Sequence, residues 1–151
     1  MIPLMEMALV IELMSGHTDA RVSLEQKCLI ENAIYEAADQ GPKGMALATE
    51  VALNRLEAGY RYKDTSCTII HDHKQFSWTS TPVKERRKYT LEEERAAAQV
   101  VYTYLYENPK RMLPKNTLHY LNTRTATDMS WYDPKKVVLT YGGHTFLKDI
   151  K

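Results

Sequence analysis

The apolar residues change period part-way along the chain, and that change constrains the fold more than any single residue does. Wherever a period is evident up to about residue 108 it is helical, and from about residue 117 the pattern alternates as in half-buried strands. Helices first and strands last specify an α+β domain, a helical bundle with a small antiparallel β-sheet near the C-terminus. Ser23 followed by Gln26 is a capping-box pattern that predicts a helix from about Leu24 to about Ala38. In it Leu29, Ile30, Ala33, Ile34 and Ala37 share one apolar arc, with Glu36 at the edge beside Leu29. Gln40, Gly41 and Pro42 stop that helix, and a second follows from about Lys43 to Ala58, where Leu47, Val51 and Asn54 recur at helical spacing. Residues 59–89 carry turn formers and the charged run Lys84 to Lys88 without a sustained period, so they read as a long structured loop. Thr90 with Glu93 opens a third helix, which Asn108 and Pro109 close. Thr117–Asn122 and Lys135–Tyr141 read as strands, and Gly142-Gly143 is a two-residue hairpin turn into His144–Lys148.

A length of 151 residues suits one domain over 1–151, with 1–22 as an N-terminal helix and turn and 23–151 as the core. The opening MIPLMEMALVIELM has no Lys or Arg before its apolar run and is interrupted by Glu6 and Glu12. It is also shorter than the roughly 20 residues a membrane span needs. It reads as a helix packed on the domain, without a signal peptide or stable membrane insertion, which predicts synthesis in the cytoplasm. Twenty Lys plus Arg stand against 19 Asp plus Glu, so the basic footprint of a nucleic-acid binder is missing. Cys28 and Cys67 are too few for a disulfide scaffold and lack metal-ligand spacing, so the fold is expected to rest on packing, with Cys28 a small core residue. His71 and His73 form an H-x-H pair without a compact third ligand, and GxSxG, Walker and GxGxxG signatures are absent. No metal, nucleotide or other cofactor is expected.

Glu36 is the first candidate for chemistry. A carboxyl beside an apolar arc, near a helix end, has its ionisation delayed by desolvation and holds a proton near neutral pH, as a general acid requires. The residues alone leave open the alternative that it points to solvent. Glu50, Glu57 and Glu92 to Glu94 read as solvated faces. The second candidate is the set Gln75, Phe76, Ser77 and Trp78, together with Tyr120, Asn122 and Trp131. Aromatic faces stack on sugar rings and nearby amides and hydroxyls orient them, while the alternative for Phe76 and Trp78 is that they anchor the loop to the core. His119 and His144 lie in or beside predicted strands, where either can be structural.

The run CLIENAIYEAADQGPKGMALATEVALNR (Cys28 to Arg55) resembles the opening of the SleB-type cell wall hydrolases, the spore-cortex-lytic and phage lysin relatives. KQFSWTS (Lys74 to Ser80) is similar to their Q-F-S-W loop, LHYLN (Leu118 to Asn122) to their Y-x-N strand, and YGGHTFLK (Tyr141 to Lys148) to their closing G-x-H-x-F hairpin. The resemblance implies a fold like that of the lysozyme-like lytic transglycosylases and cleavage of peptidoglycan between N-acetylmuramic acid and N-acetylglucosamine. It makes Glu36 the catalytic glutamate. It also places Phe76, Trp78, Tyr120 and Asn122, with Gln75, Ser77, Trp131 and His144, along a saccharide groove. Where many relatives carry E-A-R-G-E-P this chain has Glu36-Ala37-Ala38-Asp39-Gln40-Gly41, so an Arg is absent and a second Glu is Gln40. That departure favours a single-glutamate lytic transglycosylase over a two-carboxylate hydrolase. The N-terminus without an export signal and the small size predict a phage lysin that reaches the wall by holin-dependent release or inside a virion. The alternatives are a non-catalytic glycan-binding or virion structural module, and a muramidase that uses water.

Overall fold

The computed structural model describes residues 20–63, 65–72, 77–122, 125–126 and 129–149, with backbone alone at 20–23, 62 and 77. The expected helix within 1–19, the polar turn at 15–19, His73, Gln75 and Phe76 lie outside the described residues. The elements are α1 (Ala20–Ala37), a 3-10 turn (Ala38–Gln40), α2 (Gly41–Glu57), α3 (Ser66–Ile70), α4 (Leu91–Tyr102) running into a π-helical turn (Thr103–Glu107), then β1 (Thr117–Asn122), β2 (Val137–Tyr141) and β3 (His144–Lys148). This is the α+β order read from the change of period.

α1 begins at Ala20, ahead of Ser23, so the Ser23/Gln26 capping box does not start it. Gln26 is instead buried, and its amide donates to the Tyr106 hydroxyl at 2.9 Å rather than turning back to the chain. The Thr90/Glu93 box does form: Thr90 Oγ1 accepts from the Glu93 backbone N–H and Glu93 accepts from the Thr90 backbone N–H. Between them the loop contains α3, capped by Thr65 and Thr68. With five residues it is too short to show a period, yet it buries Ile69 and Ile70.

α2 is the axis of the molecule. On one side Met45, Ala48 and Ala52 meet Leu29, Ile30, Ala33, Ile34 and Ala37 of α1, together with Ala97, Ala98 and Val101 of α4 and Trp78. On another, Leu47 and Val51 meet Leu113 and Phe146 of the sheet region. A helix wrapped this way must satisfy its polar side chains internally. Asn54 Nδ2 donates to the carbonyls of Pro114 and Thr117, at 3.0 and 3.1 Å, and Arg55 Nε donates to that of Leu118 at 2.6 Å. The Asn-Arg pair thus ties α2 to the start of β1. Glu50, expected on a solvated face, is fully buried. Its carboxylate accepts from the Tyr104 hydroxyl and from the backbone N–H groups of Met112 and Leu113, which satisfies the charge and fixes that segment.

The cysteines depart from expectation in the same way. Cys28 is a buried core residue, as expected, but it is also joined to Cys67 in a disulfide with Cα atoms 5.3 Å apart, which fastens α1 to α3. Two cysteines separated by 39 residues carry no spacing signal, and only the packing of α3 on α1 brings them together.

The sheet order is β1-β3-β2, antiparallel throughout. In it Asn122 of β1 pairs with His144, and Tyr120 with Phe146. Gly142 and Gly143 both have positive φ (58° and 89°), as a two-residue hairpin turn requires. Among the described residues no helix is long and apolar enough to cross a membrane.

Candidate active site

The C-terminal end of α1, the 3-10 turn after it and the β2–β3 hairpin enclose an open cleft of about 450 Å³. α1 contributes Ile34, Tyr35 and Glu36, and the turn contributes Asp39 and Gln40. Asn122 at the end of β1, with Gly142 and His144 of the hairpin, forms the facing wall, and Arg87 with Glu93 closes one side. Glu93 holds Arg87 by two hydrogen bonds, 3.0 and 2.8 Å, so that guanidinium is largely neutralised.

The carboxyl of Glu36 is pushed up to about 7. Burial is the main cause, and it outweighs a hydrogen bond from the Tyr120 hydroxyl and the attraction of Arg55, both of which favour the charged form. Tyr120 is itself held far above the ordinary phenol range by burial and by the neighbouring carboxylate, so it stays a donor. Arg55 is buried, its guanidinium 5.2 Å from the centre of the Tyr60 ring. The arrangement can both give and take a proton at neutral pH. Replacing Tyr120 by Phe removes a bond that favours the carboxylate, so Glu36 is expected to titrate at higher pH. Turnover on purified cell walls should then keep its descending limb to a correspondingly higher pH, and a limb that stays put or moves down overturns the pairing.

Of the residues singled out from sequence, the cleft gathers Glu36, Asn122 and His144, with Tyr120 bonded to Glu36 from beneath. Trp78 is elsewhere: it is buried in the core, its Nε1 donating to Asn32 Oδ1 at 2.8 Å. Its ring stacks on Tyr35 at 4.9 Å, so it backs the residue that lines the cleft and anchors its loop. Trp131 packs near His119, 5.9 Å between ring centres, and is not on the cleft wall. Ser77 opens the 3-10 turn Ser77–Ser80. His71 meets the edge of the Trp78 ring, and among the described residues no His, Cys, Asp and Glu side chains group for a metal ion. Tyr35, Arg87 and Glu93 were not expected at the site. Tyr35 adjoins Glu36 in sequence, whereas nothing local marks the other two, which reach the cleft through the fold.

The family model described as Cell Wall Hydrolase matches residues 39–147. The chain belongs to the SleB-type cell wall hydrolases. No curated protein and no solved structure matched it in the same comparisons. Membership in this cell wall hydrolase family makes the protein a peptidoglycan-cleaving enzyme. The matched segment takes in Asp39, Gln40, Tyr120, Asn122 and the hairpin, and it begins three residues beyond Glu36. The place of Glu36 in this cell wall hydrolase therefore rests on the geometry of the cleft.

Proposed function

We propose that the protein is a peptidoglycan lytic transglycosylase in which Glu36 serves as acid and then as base. The observation that carries this reading is a carboxyl lining an open cleft whose ionisation is delayed to about 7 by burial. Protonated Glu36 gives its proton to the glycosidic oxygen as the bond from muramic C1 breaks, and N-acetylglucosamine leaves with a free 4-hydroxyl. The carboxylate then takes the proton of the muramic C6 hydroxyl, whose oxygen closes on C1 to form a 1,6-anhydro end. Glu36 ends protonated and ready for another turn. The nucleophile belongs to the substrate, so no second carboxylate has to activate water or form a glycosyl-enzyme. Gln40, an amide where many relatives carry Glu, is engaged with His144 and supplies no carboxylate. Asn122 and His144 on the facing wall offer polar groups to orient the sugars, with Tyr35 as the aromatic face.

We place the site of action at the cell wall after export from the cytoplasm, as a phage lysin released through a holin or carried in a virion. The Cys28–Cys67 disulfide supports action in an oxidising compartment. Mass analysis of digested peptidoglycan tests the chemistry. Anhydro ends are expected. Reducing ends, heavier by one water, would assign ordinary hydrolysis instead, and the absence of any cleavage would leave a glycan-binding module.

A further inference from the structure

Gln40 ends the 3-10 turn after α1 and reaches across to the hairpin, where its Nε2 lies 3.1 Å from His144 Nδ1. Two glycines make room for it. A Cβ on Gly44 would come within 2.4 Å of Gln40 Cβ, and one on Gly142 within 2.6 Å of Gln40 Oε1, both closer than real Cβ atoms approach. The start of α2 and the hairpin tip are thus built around one amide. Gln40 Oε1 is buried and has no partner among the described residues. The amide as placed turns its Nε2, a donor only, toward the ring. With the amide donating, Nδ1 of His144 must accept. Burial holds the imidazole below its ordinary range, against a weaker opposing pull from Asp39, so at neutral pH the ring is uncharged and carries one N–H. The ring stands edge-on to Tyr120, 4.8 Å between centres, and Tyr120 in turn bonds Glu36.

We infer that Gln40 is a positioning residue whose amide, donating to His144 Nδ1, locks the ring with its proton on Nε2 as a donor to a saccharide oxygen bound beside Glu36. The substrate part of this inference rests on the transglycosylase reading above; the tautomer does not. The test is the imidazole ¹⁵N spectrum of His144 in the full chain at neutral pH, read together with turnover on purified cell walls. The native ring should show a protonated Nε2 and an unprotonated Nδ1. Gln40→Ala should release it to a mixture of tautomers and lower kcat/KM about tenfold, the worth of one well-placed hydrogen bond. Gln40→Glu keeps the shape but can only accept at neutral pH, so it should draw a proton onto Nδ1, and it serves equally if the alanine variant does not fold. A native ring protonated at Nδ1, a Gln40→Ala ring still locked at Nε2, unchanged kcat/KM in Gln40→Ala, or a Gln40→Glu ring without a proton on Nδ1 overturns the inference. Failure of the transglycosylase reading shows separately, in the product masses, and leaves the ¹⁵N result standing.

Discussion

Glu36→Gln is expected to fold normally and to lose turnover on cell walls by about a hundredfold or more, the usual worth of a positioned acid–base group. Gln keeps the shape and can still accept a hydrogen bond from Tyr120, but it has no proton to give to a leaving oxygen. The native enzyme should show one descending limb near pH 7, because the protonated form starts the reaction and burial sets its titration at about 7. A bell-shaped profile with a second carboxylate on its acid side would point to hydrolysis. The same carboxyl predicts a change in stability with a definite sign. Its value rises from an ordinary 4.5 to about 7 on folding. The folded state is therefore free of penalty below the unfolded value and loses stability as pH rises through the folded one. Full ionisation costs on the order of 3 kcal/mol. Glu36→Gln escapes that cost, so at pH 8 its Tm should exceed the native one by roughly 10 °C, with little difference near pH 4. Equal Tm values at pH 8 together with undiminished lysis would remove Glu36 from the mechanism.

What the sequence discloses here is what short stretches decide by themselves. The apolar arc of α1, the Thr90/Glu93 cap, the strands after residue 117 and the Gly142-Gly143 turn each depend on neighbours within a few positions, and each forms near where its pattern predicts, although burial does not alternate along the strands: β3 buries His144 to Leu147 in succession. The polar residues of the interior are harder to read. Glu50 resembles any surface glutamate until Tyr104 and the Met112–Leu113 backbone are folded over it, more than fifty positions away in sequence. Arg87 and Glu93 resemble a solvated run, and they reach the cleft wall only because α4 packs beside α1. Trp78 shows the limit from the other side. An aromatic beside Ser and Gln fits a sugar platform and a core anchor equally well, and Asn32 inside α1 decides for the anchor by accepting its indole N–H. The place of Glu36 on the cleft wall follows from its position beside the apolar arc near the end of α1, but its link to Tyr120 belongs to the tertiary fold.

Reduction of the Cys28–Cys67 bond should lower Tm by roughly 10 °C. The bond closes a span of 39 residues, and on a chain-entropy account a loop of that length contributes about 3 to 4 kcal/mol by restricting the unfolded chain. For a domain of about 150 residues each kcal/mol is worth roughly 2–4 °C. The effect should be reproduced by Cys28→Ser without reductant, and reductant should then do nothing further to that variant. Its location gives the loss a functional side. Cys28 and Glu36 stand on the same helix, and Cys67 lies in α3, whose Ile69 and Ile70 pack into the core next to the loop that Trp78 anchors. Without the covalent tie, α3 is a five-residue helix held by its cap, the buried Ser66, Ile69 and Ile70 and one hydrogen bond from the Cys67 N–H to Glu25 of α1, so protection from hydrogen exchange should fall there first. α1, packed against α2 and α4 along its length, should keep its protection, and Glu36 its place, until the whole domain unfolds. Lysis at 25 °C is thus expected to survive reduction while its half-life on heating shortens. A reduced protein with the native Tm, or free thiols in the native protein by alkylation and mass measurement, would show that packing alone holds α3 against α1.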